Sequence, residues 1–223
     1  MNLSAPVIIT IDGPSGSGKG TLSQMLARCL GYHLLDSGAL YRLVALTSMK
    51  KGIDLGNEQA VSEAAAGLDV IFSLENGESA QILLEGVQVT DVIRQEAVSM
   101  AASKIAAYPG VRAALLERQR AFATAPGLVA DGRDMGTTVF PDAQVKLFLT
   151  ASAEARAERR YKQLRTKGES VDMAELIRDI RERDERDSNR AVSPLKPAAD
   201  AVIIDSTAMT IDDVFTKILA AIT

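Results

Sequence analysis

The chain has 223 residues, 47% of them apolar, enough for a sizeable core organised as one large domain or one domain with insertions. Its 25 Lys and Arg against 29 Asp and Glu leave a net charge of −4, which argues against broad nucleic-acid binding, because phosphate-backbone binders carry a basic excess. Cys29 and His33 are the single cysteine and histidine, so an intrachain disulfide and a cysteine metal cluster are excluded, and a histidine metal site or Ser-His-Asp triad has little support.

No stretch approaches the roughly 20 consecutive apolar residues of a membrane span. The N-terminus enters an apolar strand without a basic segment or cleavage site, so a cytosolic address is expected. In chain order, residues 7–11 predict a first strand, and a glycine-rich loop leads from it into a helix over Lys19–Leu30. Cys29 falls in line with Leu22, Met25, Leu26 and Leu30 at helical spacing and is expected in the core. A strand at 32–35 and a helix at 38–50 follow. The rhythm then breaks: apolar runs at 69–74, 81–84 and 87–89, with Asn76-Gly77 as a hairpin signal, predict a small antiparallel meander. A helix at 111–123 and strands at 128–130 and 145–149 resume the alternation. Helices at 153–167 and 173–186, a strand at 201–204 and a helix over Ile211–Ile222, opened by Thr210 with Asp213 three residues on, complete it.

Short apolar strands alternating with helices predict an α/β fold with a five-stranded parallel sheet covered on both faces. The expected organisation is a core over 1–50, an inserted substrate lobe over 51–100, core again over 101–155, a basic helical lid over 156–190, and core over 191–223.

The loop Gly13-Pro14-Ser15-Gly16-Ser17-Gly18-Lys19-Gly20-Thr21 fits G-x-x-x-x-G-K between strand and helix, where backbone N–H groups and the helix N-terminus hold phosphates. Gly20 stands where Ser or Thr is usual and moves the hydroxyl to Thr21, which weighs against a GTPase switch and toward small-molecule phosphotransfer. Asp36-Ser37-Gly38-Ala39-Leu40-Tyr41-Arg42 begins a helix at the carboxyl edge of the sheet, where ligands bind in such folds. Ser37 serves there as a helix cap or a ligand contact, and Arg42, one turn in, faces what the loop binds. Asp131-Gly132-Arg133-Asp134-Met135-Gly136 leaves another strand at the same edge, with Asp131 placed to sit near Mg²⁺. Eleven of the 25 basic residues fall between Arg156 and Arg190. Arg156, Arg159, Arg160, Arg178, Arg181, Arg183, Arg186 and Arg190, arginine nearly throughout, suggest planar anion recognition by a mobile lid, with Gly168 turning between two helices.

These segments, in this order, resemble the bacterial cytidylate kinase family, and the resemblance runs across nearly the whole chain, meander included. It implies a three-layer P-loop kinase fold, a cytoplasmic enzyme of pyrimidine nucleotide metabolism, and transfer of the terminal phosphoryl of ATP to CMP or dCMP with Mg²⁺. On that resemblance, Gly13 through Thr21 hold ATP; Ser37, Arg42, Ser103, Arg112, Arg133, Asp134, Arg183, Asp187 and Arg190 line the CMP pocket; and Thr21 and Asp131 are the metal positions. By their own sequence context Ser103 and Arg112 read as ordinary helix residues.

The acceptor phosphate has a second pKa of about 6 and is already deprotonated at neutral pH, so no general base is required. Catalysis then falls to positioning and charge neutralisation by Lys19, Arg42, Arg133, Arg183 and Arg190. A monomer binding small-molecule substrates, with no nucleic acid or membrane partner, is expected. The alternatives are a related kinase with an acceptor such as UMP, and a non-catalytic ATP-sensing module.

Overall fold

The computed structural model describes residues 6–73, 81–166, 168 and 170–222. In chain order its elements are β1 (Val7–Asp12), α1 (Lys19–Leu30), β2 (His33–Asp36), α2 (Ser37–Lys50), α3 (Glu58–Ala66), β3 (Val70–Ser73), β4 (Gln81–Leu84) and β5 (Val87–Gln88). There follow α4 (Glu96–Ile105), α5 (Pro109–Arg120), β6 (Gly127–Gly132), β7 (Val145–Thr150), α6 (Ala153–Thr166), α7 (Met173–Ser188), β8 (Val202–Asp205) and α8 (Ile211–Ile222). A 3-10 turn at Val92–Arg94 and a wide π-type turn at Met135–Val139 stand outside these. The chain divides into two compact units.

The first unit, residues 1–36 and 119–223, is built on a parallel sheet of order β2-β6-β1-β7-β8. The five parallel strands expected from the sequence are all present. β1 runs one residue further than its apolar run because Asp12 still pairs with Gly132 on one side and Phe148 on the other. Every residue of β6 is buried, as suits a strand flanked on both sides. Ile9, Ile11, Val129, Leu147 and Leu149 from the sheet pack with Leu22 and Leu26 of α1 and Val214 and Ile218 of α8. The predicted start of α8 is a reciprocal box: Thr210 Oγ1 accepts the Asp213 N–H at 3.2 Å, and Asp213 Oδ2 accepts the Thr210 N–H at 3.1 Å.

Cys29 is exposed, contrary to expectation. The buried face of α1 is centred on Leu22, Ser23, Leu26 and Ala27, whose small members let the helix lie close to the sheet. At about 100° per residue, Met25 and Cys29 fall on its flank. His33 is also exposed, its Nε2 3.0 Å from the Ala125 carbonyl oxygen.

The second unit, Ser37–Arg118, contains α2 to α4, most of α5 and the antiparallel sheet β3-β4-β5. Val70 pairs with Leu84 and Ser73 with Gln81, as the meander reading requires, while the Asn76-Gly77 turn lies outside the described residues. Helix α3 and the bounds of α4 were not foreseen, although Ser103 read as a helix residue. Asn57 caps α3, its Oδ1 accepting the Ala60 N–H at 3.1 Å, a local signal hidden within a segment read as sheet and loop. Helix α5 starts two residues early, at Pro109, whose missing N–H costs nothing at a first helical position. Among the described residues no helix is long and apolar enough to cross a membrane.

Candidate active site

β1 delivers the chain into the glycine loop at the carboxyl edge of the sheet. Gly13 has φ +151, and a Cβ there would stand 2.1 Å from the Leu149 carbonyl oxygen, so only glycine lets the loop leave between the strands. The arginines of α6 grip the outside of this loop. Arg156 Nη1 donates to Ser15 O at 3.1 Å and Arg159 Nη1 to Ser17 O at 3.3 Å. Carbonyl and N–H are opposed across each peptide plane, so the N–H groups of Gly16 and Gly18 point away from these arginines, as an anion cradle requires.

Lys19, the first residue of α1, is buried; its Nζ donates to Pro14 O at 3.0 Å and lies 4.0 Å from Asp131 Oδ1. Burial, reinforced by Arg133 and Arg183 and opposed by Asp131, pushes its ammonium down to about 7. A phosphate arriving here would restore that charge. The glycine at position 20 also has its reason: a Cβ would come within 3.3 Å of Asp131 Oδ2, so the residue after the lysine stays bare and the hydroxyl passes to Thr21, exposed on the first turn of α1.

The turn after β6 and the end of α7 supply the rest of this unit's charge. Arg133 Nε donates to Asp187 Oδ2 at 2.9 Å, and Arg190 donates to the other oxygen of the same carboxylate. Burial opposes ionisation of Asp187, but Arg133, Arg190 and Arg183 outweigh it and hold the carboxyl below its usual range. Arg133 and Arg183 thus act on both Lys19 and Asp187, which brings loop, turn and helix into one electrostatic neighbourhood. Asp134 is buried at 2% exposure.

The arginines from 156 to 190 do not form one clamp. Arg178 pairs with Glu175 and Arg181 with Glu154 on the solvent side. Arg156, read from the sequence as one of the anion-recognising arginines of a mobile lid, is 3% exposed and holds Asp184, Ser15 O and Ala151 O instead. Gly168 makes the expected turn between α6 and α7 with φ +80.

The second unit contains Ser37 and Arg42 on the first turns of α2, Ser103 on α4 and Arg112 on α5. Ser37, Ser103 and Arg112 are buried polar residues. The Arg112 guanidinium lies over the Tyr41 ring, 5.6 Å from its centroid, and Nη1 donates to Ala106 O at 3.1 Å. Sequence reasoning missed Asp12, which bonds the turn after β6, and Asp184, which fixes Arg156. A lone acid closing an apolar strand was the available signal for the first.

Holding a triphosphate needs only the loop; moving a phosphoryl group from it also needs cations beyond the loop, and Arg133, Arg183 and Arg190 gather around Asp187 beside Lys19. The molecule is therefore a kinase of the phosphate-loop class. The sequence model of the cytidylate kinase family matches residues 9–223. Cytidylate kinase from Pseudomonas aeruginosa (strain LESB58) is 61% identical over 220 residues, covering 98% of this chain and 96% of its own. Those from Aeromonas hydrophila subsp. hydrophila and Pseudomonas fluorescens (strain Pf0-1) are 61% and 60% identical over 216 and 223 residues, covering 97% and 100% of this chain and 93% and 97% of theirs. The chain belongs to the cytidylate kinase family.

Proposed function

We propose that the protein transfers the γ-phosphoryl of ATP to CMP or dCMP, giving ADP and the corresponding diphosphate. The observation that carries this reading is the shared electrostatic neighbourhood of Lys19, Arg133 and Arg183 with Asp187 and Arg190. In it, Gly13, Pro14, Ser15, Gly16, Ser17, Gly18, Lys19, Gly20 and Thr21 hold ATP, and Lys19 neutralises its β- and γ-phosphates. Arg42, Arg133 and Arg190 orient the acceptor phosphate, and Arg183 stabilises the group in transfer. Ser37, Ser103 and Arg112 complete the CMP pocket; Asp134 accepts from the cytosine amino group, and Asp187 takes the sugar edge. The segment 51–100 is the substrate lobe and 156–190 the lid.

Mg²⁺ suits this donor set. Magnesium takes hard oxygen ligands and leans on substrate phosphates, so the Thr21 hydroxyl and Asp131 carboxylate suffice as protein contacts. Among the described residues no cluster of three or more His, Cys, Asp or Glu offers an all-protein cage. When bound, the ion neutralises charge on the β- and γ-phosphates. The acceptor oxygen is already deprotonated near neutral pH, so this chain's residues have only to align two anions and exclude water. A cytoplasmic monomer acting on free nucleotides is in keeping with the chain's net charge of −4.

A coupled ADP-release assay with ATP, Mg²⁺ and CMP, dCMP, UMP or AMP tests the reading. Turnover should be fastest with the two cytidine nucleotides. UMP as the best acceptor would favour the related-kinase alternative, and ATP binding without ADP formation for any acceptor would leave only a sensing module.

A further inference from the structure

The peptide between Ser17 and Gly18 aims one of the phosphate loop's N–H groups, and the loop itself does little to hold that plane. Gly16 and Gly18 flank Ser17 with φ +76 and +94, a region glycine enters freely, and a Cβ at Gly18 would meet only Leu22 Cδ1, 3.9 Å away. The Ser17 hydroxyl is buried and, among the described residues, has no hydrogen-bond partner, so the side chain does not fix the plane either. The hold comes from outside. Arg159 Nη1 has two hydrogens to give: Ser17 O accepts at 3.3 Å and Ser206 Oγ at 3.3 Å, while Nη2 donates to Ser206 O at 2.6 Å. Ser206 is buried on the loop between β8 and α8, and that loop is well tied. The Ser206 N–H donates to Thr150 O at 2.8 Å, and its hydroxyl to the same oxygen at 3.1 Å. Asp205 Oδ1 accepts the Thr207 N–H at 2.9 Å, and Thr207 Oγ1 accepts the Ser152 N–H at 3.0 Å, just before the helix that carries Arg159.

We propose that Arg159 and Ser206 are positioning residues for the donor phosphates: the Arg159 fork clasps the Ser17 carbonyl to the β8–α8 loop and so keeps the Gly18 N–H aimed at the triphosphate. The proposal rests on the reading that residues 13–21 hold ATP. Carbonyl and N–H lie opposite each other in a planar peptide, so a hold on the first directs the second. The guanidinium spends these N–H donors on the backs of the two loops, and Arg159 therefore acts through the phosphate loop rather than on the phosphates. Ser206 sets where the fork lies, because its hydroxyl and its carbonyl each take a hydrogen from a different Nη. A lysine, a point charge on a flexible stem, cannot span both loops as the planar fork does.

The test measures calorimetric dissociation constants for ATP, inorganic tripolyphosphate and CMP, all with Mg²⁺, in the full chain and in Arg159→Met, Arg159→Lys, Ser206→Ala and the double variant of Arg159→Met with Ser206→Ala. Melting curves accompany each. Tripolyphosphate carries the phosphates without sugar or base. Arg159→Met should weaken ATP and tripolyphosphate by the same factor, at least about tenfold, the size expected for one charged hydrogen bond, with CMP changed less than about twofold. Arg159→Lys should stay within about threefold of Arg159→Met, and Ser206→Ala should weaken both phosphate ligands about threefold. The double variant should bind ATP within about twofold of Arg159→Met alone, since Ser206 acts through Arg159. ATP affinity kept within about twofold of the parent by Arg159→Met, whatever its melting temperature, overturns the proposal. So does ATP weakened with tripolyphosphate unchanged, which would put the two residues on the base or sugar, or CMP weakened as much as ATP, which would be a general loosening. Full ATP affinity in Arg159→Lys would make the effect one of charge alone and overturn it equally. Should Arg159→Met fail to fold, Ser206→Ala reads the same comparison of ATP, tripolyphosphate and CMP. A chain that behaves as expected here yet phosphorylates no CMP would instead sink the functional reading and leave the clasp standing.

Discussion

Arg156 ties the outside of the phosphate loop to α7, and removing its guanidinium should be costly. Nε donates to Ala151 O at 3.0 Å and Ser152 O at 3.3 Å, Nη1 to Ser15 O at 3.1 Å and Asp184 Oδ1 at 2.9 Å, and Nη2 to Asp184 Oδ2. Arg156→Met keeps most of the stem and deletes all of these donors. Breaking a buried ion pair by removing one partner costs about 3–5 kcal/mol. The Asp184 side chain retains 26% exposure and can recover part of its hydration, which sets the loss at the lower end, about 3 kcal/mol. For a chain of this size the melting temperature should drop roughly 6–12 °C.

Calorimetric melts of Arg156→Met, Asp184→Leu and the double variant separate the pair from the scaffold. An apolar pair of similar volume avoids both desolvation penalties, so the double variant should regain most of the stability lost by Arg156→Met, with a coupling of at least about 2 kcal/mol. KM for ATP should rise in Arg156→Met because Ser15 O loses its anchor. Melting within about 2 °C of the parent, or losses that simply add, would refute the idea that this pair locks the loop to α7.

Lys19→Met should lower kcat at least about a hundredfold while leaving the melting temperature at or above that of the parent, because a buried ammonium that disfavours its own charge is removed; near-normal turnover would take Lys19 out of the mechanism. Gly13→Ala places a methyl group 2.1 Å from Leu149 O and should destabilise by about 1–3 kcal/mol or more, read as a lower urea midpoint with weakened ATP binding. Burial raises the Asp12 carboxyl from 3.8 to about 7 against the pull of its two N–H bonds. Between those values the folded chain holds a proton that the unfolded chain has released, so this group's contribution is full below pH 4 and lost as pH rises through 7, a decline on the order of 4 kcal/mol. The difference in urea stability between the parent and Asp12→Asn, followed from pH 4 to pH 8, should show that slope; a flat difference would contradict it.

Strand and helix order in the parallel core was legible because buried strands of four to six residues and capped amphipathic helices each carry a local signature. Lys19–Leu30 and Ile211–Ile222 are helices to the residue. Helix α3 and the bounds of α4 were hidden for the opposite reason. Ala-rich stretches around Val61 and Val98 carry little periodic contrast, and the neighbouring meander drew the segment toward sheet. The site was legible wherever backbone chemistry dictates residue type, as in the glycine loop. It was opaque where residues pair across the chain, as for Arg156 with Asp184 and Asp12 with Met135 and Gly136, which no local spacing encodes.

Helix α7 shows how one residue type divides its labour by position. Arg178 and Arg181 face acids in solvent, whereas Arg183 precedes Asp187 by one turn and Arg190 reaches back to it from beyond the helix end. Asp187 helps to permit this gathering. Three guanidinium groups and the Lys19 ammonium could not sit together unneutralised, and a carboxylate buried to 1% exposure offsets them together with Asp131. Asp187→Asn should therefore weaken CMP binding less by losing a sugar contact than by loosening Arg133 and Arg190. If so, KM for CMP should become more sensitive to salt than in the parent, because exposed arginines are screened and paired buried ones are not. An unchanged salt dependence would assign Asp187 to the sugar alone.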